Sequence, residues 1–435
     1  MTRAPRVLIF FPSHRDYLAF AQAAKTMGVE PIFDQLAQGE LLQSLRYRQD
    51  FDILSVIQEK IELYKREPVD GIVQSISYSG LTAVGSCIGQ SLGLLCPSPR
   101  SILVSEHKYL SRVAQRQSVD YATPSYWLID DKFSSTERTA LEYPLFLKPV
   151  ISTFSKGAFK VEAPKHLHEF VKRSRSVRQS FVFQFEQLLK TYSEFDSQSG
   201  KSIIAESLLS GKQVSLEGYV FRGNVTIMGI LDAFMFGDTI SFSRFQYPSQ
   251  LSESIQKRMH EIAEKYFTGI GFDNAPFNME LMYNPQTDEI HIIEVNPRYA
   301  SQFSDLFEKV DGTSTASVVL SLALGEQPTF AKGKGEFRLA ASCVFRSFAD
   351  RLVHSVPSQS DVEALKARYP EAIVEIRAQP GKLLFAEVQD SVSFRYGLVH
   401  LGANSASELD EKWQVCQELL DFKLGPAIGQ AQISH

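Results

Sequence analysis

Two carboxylates that face each other across a predicted β-hairpin constrain this chain more than any other feature. Glu280 and Glu294 lie in two segments of alternating apolar and polar residues, and the turn-forming stretch 283–289 joins these segments. A hairpin folded about this turn places Glu280 opposite Glu294. Since side chains alternate along a strand, Asn278 and Asn296 then share the face of the two carboxylates. The sequence therefore predicts one acidic face on a rigid hairpin.

This acidic face predicts a cation site. Like charges directly opposite each other destabilise a strand pair, so we expect a cation between Glu280 and Glu294. Together with Asn296 they offer only hard oxygen ligands, which suit Mg²⁺ better than zinc. Arg298 follows at once in the chain, where it could hold a phosphate or a carboxylate beside the metal. A metal and an arginine on one hairpin indicate phosphoryl chemistry.

Length and composition are those of a folded protein with several domains. The 435 residues predict about three domains, and 44% hydrophobic and 22% charged residues are ordinary values. The net charge of −5 does not favour binding to nucleic acid or to an anionic membrane. No apolar stretch approaches the ~20 residues that span a bilayer. The four cysteines have no CxxC spacing, so we expect free thiols in a reducing cytoplasm.

The first part of the chain predicts an open parallel sheet. Strand and helix signals alternate over residues 1–95, beginning with the short apolar run 6–11. The GxGxxG fingerprint of dinucleotide-binding folds is absent after this run. This pattern is typical of a Rossmann-like layer without its cofactor signature, and residues 101–117 predict a helix that leads out of it.

The rest of the chain predicts mixed units, so the fold class is α/β and α+β multidomain. Residues 124–222 have the order strand, glycine-containing loop, helix, strand, and antiparallel strands and the acidic hairpin follow to about 324. The tail predicts an α+β unit whose strands and final helix lie at 338–345, 372–376, 383–388 and 408–419.

Four other features are weak when each is taken alone. Lys148 ends an apolar strand, and the loop 152–157 could turn backbone N–H groups toward an anion, although it is not a Walker A loop. Glu206 ends another strand, where the following apolar residues could pack on a base. A solvated side chain or a surface turn explains each of these features equally well or better, and Lys108 alone would be a solvated helix lysine.

The order of these features resembles the ATP-grasp superfamily, which includes biotin carboxylase, carbamoyl phosphate synthetase, D-alanine–D-alanine ligase and the L-amino-acid ligases. It runs from Lys108 and Lys148 through the glycine loop and Glu206 to Glu280 and the Glu-x-Asn-Pro-Arg run at 294–298. The resemblance covers residues 5–330, and the tail is similar to the C-terminal subdomain of the L-amino-acid ligases. It implies four units, which are a Rossmann-like pre-ATP-grasp domain (1–120), a small lid subdomain (121–222), a large subdomain with the metal site (223–330) and a C-terminal α+β subdomain (331–435).

The resemblance also implies a role for each position. Nucleotide binding is implied for two lysines, the loop that closes over the phosphates and the adenine hinge, which are Lys108, Lys148, Ser152, Ser155, Lys156, Gly157, Glu206 and Leu208. The implied Mg²⁺ ligands are Glu280, Glu294 and Asn296, and Lys148 and Arg298 are implied to assist phosphoryl transfer. Gln213 stands where members often have a glutamate that contacts the ribose, and its amide could still bond a hydroxyl.

The activity implied is that of an ATP-dependent carboxylate–amine ligase. It would form an amide or peptide bond through an acyl phosphate and release ADP and phosphate, using ATP with Mg²⁺ or Mn²⁺. The expected partners are a small carboxylic acid, an amine and a second copy of the chain, with Arg244, Asp273 and Arg298 as candidate substrate contacts. One alternative is a bicarbonate-using carboxylase or carbamoyl-phosphate-type enzyme. Another is a non-catalytic nucleotide-binding regulator, which the intact metal-ligand set disfavours.

Overall fold

The structure is a computed structural model in which a defined part of the chain is described. The described residues are 3–35, 45, 48–75, 81–129, 133, 141–152, 157–174, 181–195, 202–384, 390 and 393–428. Two residues of the predicted phosphate loop, Ser155 and Lys156, lie outside the described residues.

The chain begins with a parallel sheet of order β2-β1-β3. Its strands are β1 (Arg6–Phe10), β2 (Glu30–Asp34) and β3 (Gly71–Gln74). The helices of this part are α1 (His14–Met27), α2 (Ile53–Arg66), α3 (Ala83–Ser91), α4 (Pro99–Glu106) and α5 (Lys108–Ser118). The predicted Rossmann-like layer is therefore confirmed. The single helix expected at 101–117 is wrong, because His107 adopts an extended backbone (φ −80°, ψ 101°) between α4 and α5.

Helix α1 has a well-formed start, which matters below because it carries Arg15. The backbone N–H of Asp16 donates to Ser13 Oγ at 3.2 Å, and the backbone N–H of Ser13 donates to Asp16 Oδ2 at 2.8 Å. This reciprocal capping box satisfies two backbone groups that have no partner inside the helix. Gly28 ends the helix in the left-handed region (φ 68°), where glycine is the least strained residue.

The second unit is a four-stranded antiparallel sheet of order β4-β7-β5-β6. Its strands are β4 (Tyr126–Ile129), β5 (Leu145–Pro149), β6 (Phe159–Val161) and β7 (Ile203–Ser207). Two helices lie between β6 and β7 in sequence, α6 (Pro164–Ser174) and α7 (Val182–Tyr192). The sheet brings Lys148 at the end of β5 next to Glu206 on β7, because these two strands are neighbours.

The third unit is an eight-stranded sheet of order β12-β11-β8-β9-β10-β13-β16-β15. Its strands are β8 (Lys212–Phe221), β9 (Asn224–Met235), β10 (Phe242–Tyr247), β11 (Ala275–Asn284), β12 (Glu289–Asn296), β13 (Leu339–Ser347), β15 (Ile373–Ile376) and β16 (Phe394–Ala403). A separate pair is formed by β14 (Val353–Ser355) and β17 (Lys423–Leu424). The accompanying helices are α8 (Glu253–Ile270), α9 (Ser301–Asp311), α10 (Thr315–Ala323), α11 (Gln359–Arg368) and α12 (Ala406–Leu419).

This large sheet runs across the expected unit boundaries. Strand β8 lies before residue 222 but pairs with β9 and β11, and the tail strands β13, β16 and β15 continue the same sheet. The divisions expected at 222 and 330 therefore cut through one hydrogen-bonded sheet.

Two expectations for the tail need correction. The strand expected at 383–388 is wrong for its described part, where Leu383 forms an isolated bridge with Leu352. The interior strand β16 was not predicted, because Gly397 and Gly402 interrupt its alternation. A Cβ at Gly402 would lie 2.3 Å from the Phe337 ring, so the glycine makes room for an aromatic side chain that packs on the strand.

Candidate active site

The acidic hairpin has the predicted register. Glu280 on β11 pairs with Glu294 on β12, and Asn278 pairs with Asn296. The register shifts immediately after Glu280, as in a β-bulge. The Nδ2 of Asn296 donates to Asn278 Oδ1 at 2.9 Å, which leaves the Asn296 Oδ1 as the amide atom suited to a metal. Two carboxylates and one amide oxygen are thus presented by two adjacent strands.

The two carboxylates have opposite pKa shifts. Burial, together with the charge of Glu294, raises the pKa of Glu280 above its ordinary value. Burial also acts to raise the pKa of Glu294, but the nearby Lys108 and Lys148 ammonium groups outweigh it and hold that pKa below its ordinary value. The lysines therefore favour one charged carboxylate, and a divalent cation would allow both to be charged.

The donor set fits Mg²⁺. Among the described residues no group of three or more His, Cys, Asp or Glu side chains could hold a metal ion, so the carboxylate pair needs the Asn296 amide as its third protein oxygen. Mg²⁺ commonly binds one or two carboxylates and completes its shell with water and substrate phosphates. The opposition of Glu280 and Glu294 in the register is the observation on which this fit depends.

Lys108 joins the hairpin to the start of the predicted phosphate loop. Its Nζ lies 2.9 Å from Glu294 Oε1 and donates to the carbonyl oxygen of Ser152 at 2.9 Å. The side chain is 6% exposed, so the interpretation of Lys108 as a solvated helix lysine is wrong. The charge is tolerated in this buried place because a carboxylate and a carbonyl oxygen compensate it.

A buried ion network lies beside the hairpin. Lys148 Nζ is 2.8 Å from Glu206 Oε2, and Arg112 Nε donates to Glu206 Oε1 at 2.7 Å. Both cations also donate to the carbonyl oxygen of Ile293, Arg112 at 2.7 Å and Lys148 at 3.3 Å. Because Ile293 precedes Glu294, the network fixes the backbone that carries this carboxylate.

The charges in this network sustain one another. Burial alone would raise the pKa of Glu206, but Arg112 and Lys148 outweigh it and lower that pKa to about 2. Burial lowers the pKa of Lys148, although Glu206 acts in the opposite direction. Sequence reasoning missed Arg112. The available signal was its position one helical turn after Lys108, which places the two side chains on the same face of α5.

Two polar residues of β8 support the acidic face. Gln213 Nε2 donates to Glu280 Oε2 at 2.9 Å, so the residue predicted to contact the ribose is bonded to a predicted metal ligand. Glu217 is buried and accepts from the Nδ2 of Asn278. Burial raises the pKa of Glu217 to about 8, which makes it a largely protonated residue beneath the face at neutral pH.

The hinge and the loop are described in part. Leu208 follows β7 with its side chain 40% exposed, as an apolar surface on which a base could pack. Gly157 ends the predicted phosphate loop at φ 72°, a region that favours glycine. Ser152 holds Lys108 through its carbonyl oxygen, so the beginning of the loop is anchored to the site.

Gly211, which follows the hinge, gives a testable prediction. A Cβ at this position (φ 133°) would lie 2.1 Å from the carbonyl oxygen of Tyr283 on β11. Gly211→Ala should therefore lower the free energy of unfolding by about 1–3 kcal/mol, measured by urea denaturation. Gly223→Ala is the matched control, since Gly223 also has positive φ (77°) but has no atom of the described residues within 4 Å of its Cβ position. An equal loss in both variants would contradict the clash.

Arg298 lies close to the acidic face, where its charge acts to lower the pKa of both hairpin carboxylates, although the pKa of Glu280 stays above its ordinary value. It also lines a recess together with Gln74 at the end of β3 and Asn274 before β11. Arg298 therefore stands where the first unit meets the hairpin.

The other two candidate substrate residues are engaged elsewhere. Arg244 Nη1 pairs with Asp410 Oδ1 at 2.6 Å, and its guanidinium lies 4.7 Å from the centre of the Phe234 ring. Asp273 Oδ1 accepts from the backbone N–H of Gly223 at 3.0 Å and of Asn274 at 2.8 Å. These contacts stabilise the tail helix α12 against the sheet and the turn before β11, respectively.

Comparison with known proteins identifies the segment that contains the hairpin, Lys148 and Glu206. Residues 141–305 match the model of the ATP-grasp domain. A stretch of 145 residues is 30% identical to the carbamoyl phosphate synthase large chain of Thermotoga sp. (strain RQ2), which is 30% of this chain and 13% of that protein. This chain thus spans a small part of that relative.

Two solved structures share the fold over nearly the whole chain. The L-amino acid ligase from Bacillus licheniformis has a TM-score of 0.73 at 16% identity, with 98% of this chain and 100% of that chain covered. The biotin carboxylase domain of Hydrogenobacter thermophilus 2-oxoglutarate carboxylase, solved with MgADP and bicarbonate, has a TM-score of 0.66 at 12% identity, with 98% and 92% covered. The resemblance stated from the sequence is confirmed. In the part of the chain that the structure describes, no helix is both long and apolar enough to cross a membrane.

Proposed function

Because this chain contains an ATP-grasp domain, we propose that it is an ATP-dependent ligase that joins a carboxylic acid to an amine. The observation that carries the proposal is the in-register pair Glu280 and Glu294, with Asn296 beside it and Lys108 bonded to Glu294. A site with hard oxygen ligands flanked by cationic side chains suits the phosphates of a nucleotide bound with Mg²⁺.

The residues of the site divide into a metal face and a phosphate-binding group. Glu280, Glu294 and Asn296 would hold Mg²⁺, which supplies charge neutralisation at the phosphate oxygens when it is bound. Lys108 and Lys148 approach the same hairpin from α5 and β5. Arg298 adds a guanidinium that can bind phosphate through two parallel hydrogen bonds.

The proposed reaction needs no protein nucleophile. The substrate carboxylate attacks the γ-phosphorus of ATP and becomes an acyl phosphate, while ADP leaves. The amine then attacks the acyl carbon, and phosphate leaves as the amide bond forms. The positive charges of Lys148 and Arg298 stabilise the charge that develops during both transfers, and Lys148 is held in place by Glu206 before the reaction begins.

A second candidate is favoured by two comparisons. The 145-residue match to a carbamoyl phosphate synthase large chain, and the fold shared with a biotin carboxylase domain solved with bicarbonate, support a carboxylase or carbamoyl-phosphate-type enzyme that uses bicarbonate as its acid. Both candidates need the same metal face, so only the acid distinguishes them.

One assay tests both candidates. The full chain is incubated with Mg²⁺ and ATP, in one arm with pooled amino acids and in the other with bicarbonate. Phosphate release and new masses are then measured. We expect phosphate release that depends on amino acids, together with a condensed product that is lighter by one water than its two components.

The two arms give different answers. Turnover with bicarbonate alone would replace the amide ligase with the carboxylase-type enzyme. ATP binding without turnover in either arm would contradict both and support a regulatory nucleotide-binding protein.

A further inference from the structure

Three arginines converge where the first unit meets the last strands of the large sheet. Arg15 lies in the first turn of α1, Arg377 directly follows β15, and Arg395 is the second residue of β16. We call these three residues the arginine cluster. Glu375 lies among them: Arg15 Nη2 contacts its Oε2, and Arg377 Nη2 lies 2.5 Å from its Oε1.

Among the described residues, the cluster has more positive charge than its neighbours compensate. Arg395 is 8% exposed, and its side chain forms no hydrogen bond or ion pair with another residue in the described part of the chain, although its backbone pairs with Arg346 on β13. Among the described residues, the buried Nε atoms of Arg377 and Arg395 have no hydrogen-bond partner. Arg346, which is also near Arg395, is already paired with Asp390 at 2.7 Å. In the described part of the chain, three guanidinium groups thus have the Glu375 carboxylate as their nearest negative charge.

This arrangement is costly unless an anion completes it. A buried charge without a partner is strongly unfavourable, and burial together with the charges of Arg377 and Arg15 lowers the pKa of Arg395 to about 9. Planar guanidinium groups match the oxygens of carboxylates and phosphates, with which they form paired hydrogen bonds. A carboxylate would offset one of the two excess charges, and a phosphate dianion would offset both.

The cluster lies on the same side of the molecule as the residue that follows Arg298. This residue, Tyr299, packs on Phe20 of α1 with ring centres 5.1 Å apart. Burial raises the pKa of its hydroxyl, and the nearby charges of Asp16 and Arg15 raise and lower this pKa, respectively. Helix α1 therefore contacts the residue three positions after β12, through Phe20, and also β15 at the other end of the sheet, through Arg15.

We propose that the arginine cluster binds an oxyanion, a carboxylate or a phosphate, on the substrate of this protein. That the oxyanion belongs to a ligase substrate rests on the proposed function, whereas the binding itself does not. The cluster would hold a part of the substrate that does not react, while the reacting group lies at Arg298. It selects an acid or an amine that carries a second anionic group.

Binding of inorganic phosphate and of succinate to the full chain tests this proposal. Calorimetric titration is done with Mg-ADP present to fill the nucleotide site. Arg395→Gln should raise the dissociation constant at least about 10-fold, because hydrogen bonds to charged groups are among the strong ones. Arg258→Gln is the matched control, since this exposed arginine pairs with Asp288 far from the cluster in sequence, and it should leave the constant unchanged.

A second measurement separates binding from folding. In thermal unfolding without added anion, Arg395→Gln should unfold at the same temperature as the unaltered protein or higher, because an uncompensated charge has been removed. Phosphate should raise the unfolding temperature of the unaltered protein and not of the variant. Binding of succinate with the same dependence on Arg395 would identify a carboxylate ligand, and binding of phosphate alone a phosphate ligand.

The proposal is overturned if the variant binds both anions as tightly as the unaltered protein. It is also overturned if Arg395→Gln lowers the unfolding temperature and phosphate still stabilises it, since Arg395 would then be structural. Absence of ATP turnover would contradict the proposed ligase but would leave anion binding by the cluster in place.

Discussion

Glu294→Gln is expected to lower ATP-dependent phosphate release by about 100-fold or more, a loss of the size seen when one electrostatic contact to a transition state is removed. The substitution replaces a carboxylate with an amide, so the metal face loses one of its two negative charges. It also removes the partner of Lys108, whose Nζ lies 2.9 Å from Glu294 Oε1. Phosphate release at saturating ATP, followed over a range of Mg²⁺ concentrations, is the measurement.

The matched control is Glu289→Gln, at the other end of β12. Glu289 is exposed and its carboxylate accepts from Thr287 in the hairpin turn, so phosphate release should stay near normal. Thermal unfolding of both variants separates loss of activity from loss of folding. Near-normal activity in a folded Glu294→Gln protein would show that the metal assignment is wrong.

Glu206→Gln is expected to have the largest effect on stability, a loss of about 3–5 kcal/mol in the free energy of unfolding. Its carboxylate is 6% exposed and compensates two buried cations, Arg112 at 2.7 Å and Lys148 at 2.8 Å. With a neutral amide at position 206, the charges of Arg112 and Lys148 stay buried. The acceptor that they still share is the carbonyl oxygen of Ile293. Urea denaturation of the full chain measures the change.

Two further variants show whether charge is the cause. Glu194→Gln removes a surface partner of Arg100 and should change the free energy of unfolding little, because exposed ion pairs contribute little. Replacing Arg112, Lys148 and Glu206 together with apolar residues should recover much of the lost stability, since no charge remains buried. A triple variant that is less stable than Glu206→Gln would mean that packing, not charge, dominates here.

The acidic face of the hairpin could be predicted because the pairing of two strands joined by a short turn depends only on the local sequence. Once the turn was placed, period-two alternation fixed Glu280 opposite Glu294, and no distant residue had to be known. The parallel order of the first sheet followed in the same way from alternating strand and helix signals. Such features depend on residues that are close together in the chain, so the sequence alone is enough to predict them.

The features that were missed depend on neighbours in space. Taken alone, Lys108 looked solvated because its partner Glu294 is far along the chain, and only the resemblance gave it a role. Arg112 was missed, because it had no visible role until β7 placed Glu206 against it. Strand β16 was hidden by glycines whose purpose is to admit the rings of Phe337 and Phe422. The arginine cluster likewise joins three segments that no local pattern connects.

The contact between Arg15 and Glu375 can form only late in the synthesis of the chain. The two residues are 360 positions apart, so α1 leaves the ribosome long before its partner on β15 exists. Domains generally fold as units with the N-terminal ones first, and contacts between distant segments form late. The nascent chain consequently carries Arg15 without its carboxylate until the tail has been made. A chain interrupted before residue 373 lacks two strands of the large sheet, β15 and β16, and the acidic partner of its first helix.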